Sequence, residues 1–175
     1  MEFKEQLKKY QTIINTELEK YLRKEECPEK ILNESVSYSL MAGGKRLRPI
    51  LVLDVYKMFK ENYQEAMPYA VAIEMIHNFS LIHDDLPEVD NDDFRHGKPT
   101  NHKVFGENIA VLAGDNLLNE AMILMMDYSL KNGGNSLKAA YEIASSAGAE
   151  GMIGGQVVDV ISEGKKISKD ELEYM

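Results

Sequence analysis

The chain has 175 residues, 44% apolar and 28% charged, with a formal net charge of −9. That composition supports a buried core and excludes a disordered chain, while the acidic balance argues against nucleic acid as a partner. Apolar runs are only a few residues long, so no membrane span is expected, and the single Cys27 excludes an internal disulfide or a cysteine zinc site.

Helical spacing dominates from the first residues. Phe3, Leu7, Tyr10, Ile14, Leu18 and Tyr21 recur at three- and four-residue steps, one apolar stripe of a first helix. The charged opening from Met1 to Glu5 lacks the apolar stretch of a signal peptide, which points to a cytoplasmic protein. Pro28 fits the first turn of a second helix carrying Ile31, Leu32, Val36 and Leu40, and Gly43-Gly44 ends it. The basic connection Lys45-Arg46-Leu47-Arg48 leads to Pro49, which opens a third helix to about Phe59. A longer helix is expected from about Ala66 to Leu86, stopped by Pro87, followed by a loop from Glu88 to Thr100. Helical pattern resumes from Ile109 to Leu130, breaks at Asn132-Gly133-Gly134-Asn135, and returns from Ser136 to about Val160. No alternating run, repeat or linker interrupts the chain, so a single all-α domain over residues 1–175 is expected. Ala140, Ala144, Ala147, Gly151 and Gly154 form a small-residue stripe, read as tight helix packing or as a cavity wall.

The segment His83-Asp84-Asp85-Leu86-Pro87-Glu88-Val89-Asp90 carries the chemistry. Carboxylates crowded at a helix C-terminus repel one another and oppose the helix dipole, a penalty that a cation removes. Hard oxygen ligands suit Mg²⁺, which completes its shell with water and phosphates; the plain alternative is a solvated acidic turn. His77 lies seven residues before Asp84, on nearly the same helix face and about 10.5 Å away by helix rise. Lys45, Arg46 and Arg48 form one basic cluster and Arg95 with Lys98 another, so two diphosphates fit, one through metal and one through side chains. Arg46 is the weakest of these, expected to point outward.

The segments Gly43-Gly44-Lys45-Arg46-Leu47-Arg48-Pro49, Ser80-Leu81-Ile82-His83-Asp84-Asp85-Leu86-Pro87 with Asp90, and Gly97-Lys98-Pro99-Thr100 resemble the trans-type polyprenyl diphosphate synthases. Ala113-Gly114-Asp115 and Gly154-Gly155-Gln156-Val157-Val158-Asp159 are similar to that family's later landmarks, and the spacing of Asp84, Asp85 and Asp90 resembles its bacterial farnesyl diphosphate synthase group. The resemblance implies an isoprenoid-synthase-like helical bundle around a central cavity, here incomplete. It implies that Asp84 and Asp90, with Asp85 close by, ligate Mg²⁺ on an allylic diphosphate that Arg95 also contacts. Lys45, Arg48 and His77 would hold isopentenyl diphosphate, and a homodimer would form through long helices. Phe79 and Ser80, five and four residues before Asp84, would set chain length, with Phe79 implying a C15 product; core packing is the other reading of Phe79.

Two departures from the family pattern stand out. Arg95-His96 replaces two consecutive arginines, so the contact of His96 with isopentenyl diphosphate is expected to be weaker and pH-sensitive. Ser168-Lys169-Asp170-Glu171 reads as a capping box with too little chain after it for a stable helix, and the family's second aspartate-rich motif does not appear. The expectation is therefore the N-terminal portion of a longer prenyltransferase, inactive alone. A non-catalytic binding subunit and a metal phosphohydrolase using His83-Asp84 are the alternatives.

Overall fold

Tyr10, Ile14 and Leu18, the middle of the first stripe, are buried in the computed structural model, which describes residues 3–22 and 27–175. They anchor α1 (Phe3–Glu19), whereas Phe3 and Tyr21 at the ends of the stripe are exposed. Met1 and Glu2, which begin the charged opening, lie outside the described residues. The second helix, α2 (Lys30–Leu40), starts two residues after Pro28 and buries Val36 and Leu40. The third, α3 (Leu47–Lys57), starts two residues before Pro49, because Arg46 adopts a left-handed conformation (φ 53°) that turns the chain into the helix. A short 3₁₀ turn (Tyr63–Ala66) then leads into α4 (Met67–Asp84).

The centre of the bundle is α4 packed against α6 (Glu107–Asn132). Eleven of the 18 residues of α4 are buried, the mark of a helix enclosed on most sides. Ala110, Ala113, Gly114, Leu117, Ala121 and Met125 form the buried face of α6, whose small residues let α4 approach closely. Met75, Ile82, Leu117 and Met125 are almost wholly enclosed, each contributing about 1.5–3 kcal/mol of burial energy. By length and composition α6 is also apolar enough to cross a membrane, which the short apolar runs did not suggest; in this fold it supplies a face of the core.

Three features differ from the sequence expectation. Residues 94–99 are a minimal hairpin, β1 (Phe94–Arg95) paired antiparallel with β2 (Lys98–Pro99), rather than plain loop. Its two-residue loop, His96 at φ 53° and Gly97 at φ 76°, is the mirror-image type of turn that matches the twist of paired strands. After α5 (Asn101–Phe105) and α6, the expected single helix from 136 to 160 is two: α7 (Gly134–Ala147) and α8 (Met152–Ser162). Gly148 to Gly151 part them, and a Cβ at Gly151 would sit 2.0 Å from the Ser146 carbonyl oxygen. The final capping box does form a helix, α9 (Lys169–Tyr174). Ser168 and Glu171 satisfy each other's backbone amides, and Tyr174 donates a 3.0 Å hydrogen bond to the Ala149 carbonyl. Of the small-residue stripe, Ala140 and Ala147 are buried, as the packing reading expects, while Ala144, Gly151 and Gly154 are half-buried.

Candidate active site

A cavity of about 370 Å³ lies between the α2–α3 turn, the C-terminal half of α4 and the hairpin. Lys45, Arg48, His77, Arg95, His96 and Lys98 all line it, so the two basic clusters separated in sequence share one cavity. Among the described residues none of Lys45, Arg48 and Lys98 reaches a carboxylate. Their charge faces solvent and is available to an anion. The two carboxylates in the same wall are engaged: Glu74 by Arg46 and Asp85 by Arg95.

His77 is half-buried with Nε2 3.3 Å from Arg48 Nη1. A guanidinium only donates, so this nitrogen is the bare acceptor of a neutral imidazole. Burial first, and then the Arg48 charge, push the His77 pKa below its ordinary value.

The carboxylate loop folds back on the end of α4. The Asp90 amide donates to the Asp84 carbonyl at 2.9 Å, and the amides of Val89 and Asn91 both donate to Leu86. Burial raises the pKa of the Asp84 side chain, and the charge of nearby Asp90 adds to this while Arg95 opposes it. Asp85 points the other way. Buried at 3% exposure, it accepts from Arg95 Nε at 2.7 Å and from Nη2 at 2.5 Å, while Arg95 also reaches Asp92 at 3.5 Å. Burial raises the Asp85 carboxyl, the Arg95 contact pulling against it.

Of the three aspartates, then, Asp84 feels the charge of Asp90, and Asp85 holds Arg95. Among the described residues no three His, Cys, Asp or Glu side chains converge as a ready-made metal centre. A pair of repelling carboxylates nonetheless fits Mg²⁺, which binds through one or two carboxylates and takes its other ligands from phosphate and water. Glu88, Asp90 and Asp92 also form one wall of a second cleft of about 560 Å³. Asp159 and Glu163 of the α8 end face them there.

The remaining singled-out residues fall into place around this centre. Phe79 is buried and stacks edge-on against His83, ring centroids 4.9 Å apart, while the Ser80 hydroxyl bonds back to the His77 carbonyl. His83 turns toward α6, its Nε2 3.0 Å from the Val111 carbonyl. His77 instead lines the cavity, so the two histidines do not converge as the phosphohydrolase alternative requires. Arg46 points inward rather than outward: at 4% exposure it is the best-enclosed of its cluster, because Glu74 supplies the opposite charge in the core.

Sequence reasoning missed the polar scaffold beneath the cavity. Asn101 accepts from the Ser35 hydroxyl at 2.7 Å and donates to the Ser35 carbonyl and the Ser39 hydroxyl, tying α2 to α5. Thr100 donates to the Asp92 carbonyl at 2.7 Å through its hydroxyl and to Asp93 through its amide. These residues follow directly on Gly97-Lys98-Pro99, the nearest thing to a signal for them.

Fold and site together define an all-α protein in which a cationic cavity adjoins a carboxylate loop. The polyprenyl synthetase family model matches residues 29–175, and the chain belongs to that family. It is 48% identical over 162 residues to the farnesyl diphosphate synthase of Bacillus subtilis (strain 168), a match covering 91% of this chain and 54% of that protein. It is also 48% identical over 147 residues to the heterodimeric geranylgeranyl pyrophosphate synthase large subunit 1 of Arabidopsis thaliana, covering 82% of this chain and 40% of that one. The chain spans about half the length of the curated relatives it matches. Among solved structures, an FPP/GFPP synthase from Zymomonas mobilis superposes with a TM-score of 0.91 at 34% identity, over 98% of this chain and 63% of that one. The all-α fold is thus that of the isoprenoid synthases.

Proposed function

We propose that this chain serves prenyl transfer, the condensation of an allylic diphosphate (dimethylallyl or geranyl) with isopentenyl diphosphate. The observation that carries the reading is the meeting of Lys45, Arg48 and His77 with Arg95 in one cavity beside the Asp84–Asp90 pair. The names of the relatives, farnesyl and geranylgeranyl diphosphate synthases, support the reaction type.

In this reading Lys45 and Arg48 grip the diphosphate of isopentenyl diphosphate, with His77 and His96 completing the grip. Arg95, stored on Asp85, serves the diphosphate of the allylic partner and stabilises the charge that grows on it as the carbon–oxygen bond breaks. Asp84 and Asp90, with Asp85 close by, hold Mg²⁺, which when bound neutralises the same developing charge. The chain's own work is to fix two polyanions with their reactive carbons adjacent and to exclude water. The isopentenyl double bond attacks the allylic carbon, pyrophosphate departs, and it accepts the proton lost in forming the new double bond. No side-chain nucleophile is needed.

The proposal extends to a C15 product, which rests on the place of Phe79 five residues before Asp84, and to a cytoplasmic homodimer. Product chromatography of Phe79→Ala in an enzyme carrying these residues is expected to reveal longer chains; C15 alone would refute the length assignment. The binding reading is tested by titrating isopentenyl diphosphate into the chain. Lys45→Ala and Arg48→Ala are each expected to weaken binding about tenfold or more, since hydrogen bonds to charged groups are lost. Wild-type affinity in both variants would overturn it.

A further inference from the structure

Arg46 sits in the middle of the anion-binding turn, at the cavity wall, yet buries its side chain against Glu74 rather than offering its charge to the cavity. Its backbone is left-handed at φ 53°, a conformation disfavoured for a residue with a Cβ, and it directly precedes the first turn of α3. Its guanidinium makes directed bonds to separate elements. Nε donates to Asn15 of α1 at 2.9 Å, Nη1 to Glu74 of α4 at 2.6 Å, and Nη2 to the Leu40 carbonyl at the end of α2 at 2.6 Å. One turn earlier on α1, the Gln11 amide donates to the carbonyls of Lys45 at 3.1 Å and Gly44 at 3.5 Å. The turn carrying Lys45 and Arg48 is therefore held by α1, α2 and α4, through bonds that use neither the Lys45 ammonium nor the Arg48 guanidinium. All of α1 lies before residue 29, where the family match begins.

We infer that Arg46, with its acceptors Glu74 and Asn15 and with Gln11 beside them, is a positioning residue for diphosphate binding. It locks the strained turn so that the Lys45 and Arg48 charges converge before ligand arrives. The inference rests on the diphosphate reading of the cavity. The fork geometry explains why arginine is used: a lysine ammonium also has three donors, but all on one nitrogen, and cannot span acceptors spread over α1, α2 and α4 as Nε, Nη1 and Nη2 do. Glu74 makes the burial tolerable by cancelling the charge, so the anchor adds rigidity to the turn without adding charge to the cavity. Pre-ordering the turn removes an ordering cost that the ligand would otherwise meet, and so appears as affinity.

A buried ion pair can be replaced by apolar groups with little loss of stability, whereas breaking it by removing one partner is costly. That separates positioning from mere structure. Inorganic pyrophosphate is titrated calorimetrically into the chain in the presence of chelator, so that the carboxylate loop takes no part through metal, and melting temperatures are recorded beside it. Arg46→Met with Glu74→Leu is expected to melt near the wild type and to bind pyrophosphate about tenfold more weakly. Wild-type affinity in that folded double variant overturns the positioning role. Gln11→Ala with Asn15→Ala, on the partly exposed face of α1, is expected to weaken binding about threefold at unchanged melting temperature. Unchanged affinity there overturns the inference too, and decides it should the buried double variant fail to fold. Lys45→Ala is the control for the underlying reading: if it binds as tightly as the wild type, the cavity is not a diphosphate site and the inference falls with it.

Discussion

Gly114 exists to make room for His83. A Cβ there would lie 2.2 Å from His83 Nε2, so the imidazole, which packs on the Phe79 ring and bonds the Val111 carbonyl, would have to give up those contacts. Gly114→Ala should destabilise the chain by about 1–3 kcal/mol in urea denaturation, the usual cost of forcing atoms into a filled interior. In a His83→Ala background the same change should cost less than about 0.5 kcal/mol, because the clashing ring is gone. Equal costs in both backgrounds would refute the contact. His77 gives a residue-scale prediction in pH. Its pKa is depressed by burial and by Arg48, with Arg46 and Arg95 acting in the same direction and Glu74 against. The folded chain therefore binds fewer protons than the unfolded one below the ordinary histidine value of about 6.5. Stability is complete above that value, declines as pH falls toward the lower folded pKa, and is flat below it. The difference in urea midpoint between about pH 7.5 and 5.5 should shrink in His77→Gln relative to wild type. An unchanged difference would mean that His77 is not held neutral.

At the scale of elements, the hairpin and its anchors decide how the carboxylate loop meets α2. Asn101 saturates its side chain against Ser35 and Ser39, and Tyr38 of the same helix donates to the Pro99 carbonyl at 2.8 Å. Asn101→Ala leaves the buried Ser35 hydroxyl and carbonyl without that partner and should cost about 2–3 kcal/mol in the same assay. A loss within error of zero would show that water replaces the amide. The sequence made the helices legible because burial imposes a period: Tyr10, Ile14 and Leu18 announce α1, and the apolar density between Met67 and Leu86 announces α4. Strands of two residues have no period to read, so β1 and β2 passed as loop. The break between α7 and α8 was hidden for a related reason: Ala147, Gly151 and Gly154 keep the small-residue spacing whether or not the helix continues. The residues that line the cavity could be picked out from charge and motif spacing, but their directions could not. Arg46 turns inward because of Glu74, 28 positions away in sequence, and Asp85 turns from Asp84 because of Arg95 on the hairpin.

Across the whole molecule the net charge of −9 is not evenly spread, and that unevenness makes a prediction. Acidic groups gather at the end of α4 and face Asp159 and Glu163 across the second cleft, while cations gather in the neighbouring cavity. A dianionic ligand alone meets favourable charge on the cavity side and repulsion on the other, and Mg²⁺ alone meets Asp84 and Asp90 but has no phosphate to complete its shell. Each should therefore bind better in the presence of the other, and coupling between two ligands is reciprocal. A ligand that binds only the folded state raises its stability by about 2.7 kcal/mol at a hundredfold excess over its dissociation constant, equivalent to about 5–10 °C in a chain of this size. Pyrophosphate and Mg²⁺ together should raise the melting temperature by an amount of that order, and by more than the sum of their separate shifts. Chelator should return it to the value with pyrophosphate alone. Asp90→Asn removes one carboxylate charge beside Asp84 and should abolish the excess while leaving the pyrophosphate shift in place, because Lys45 and Arg48 are untouched. Strictly additive shifts in the wild type would show that the carboxylate loop and the cationic cavity act on separate ligands.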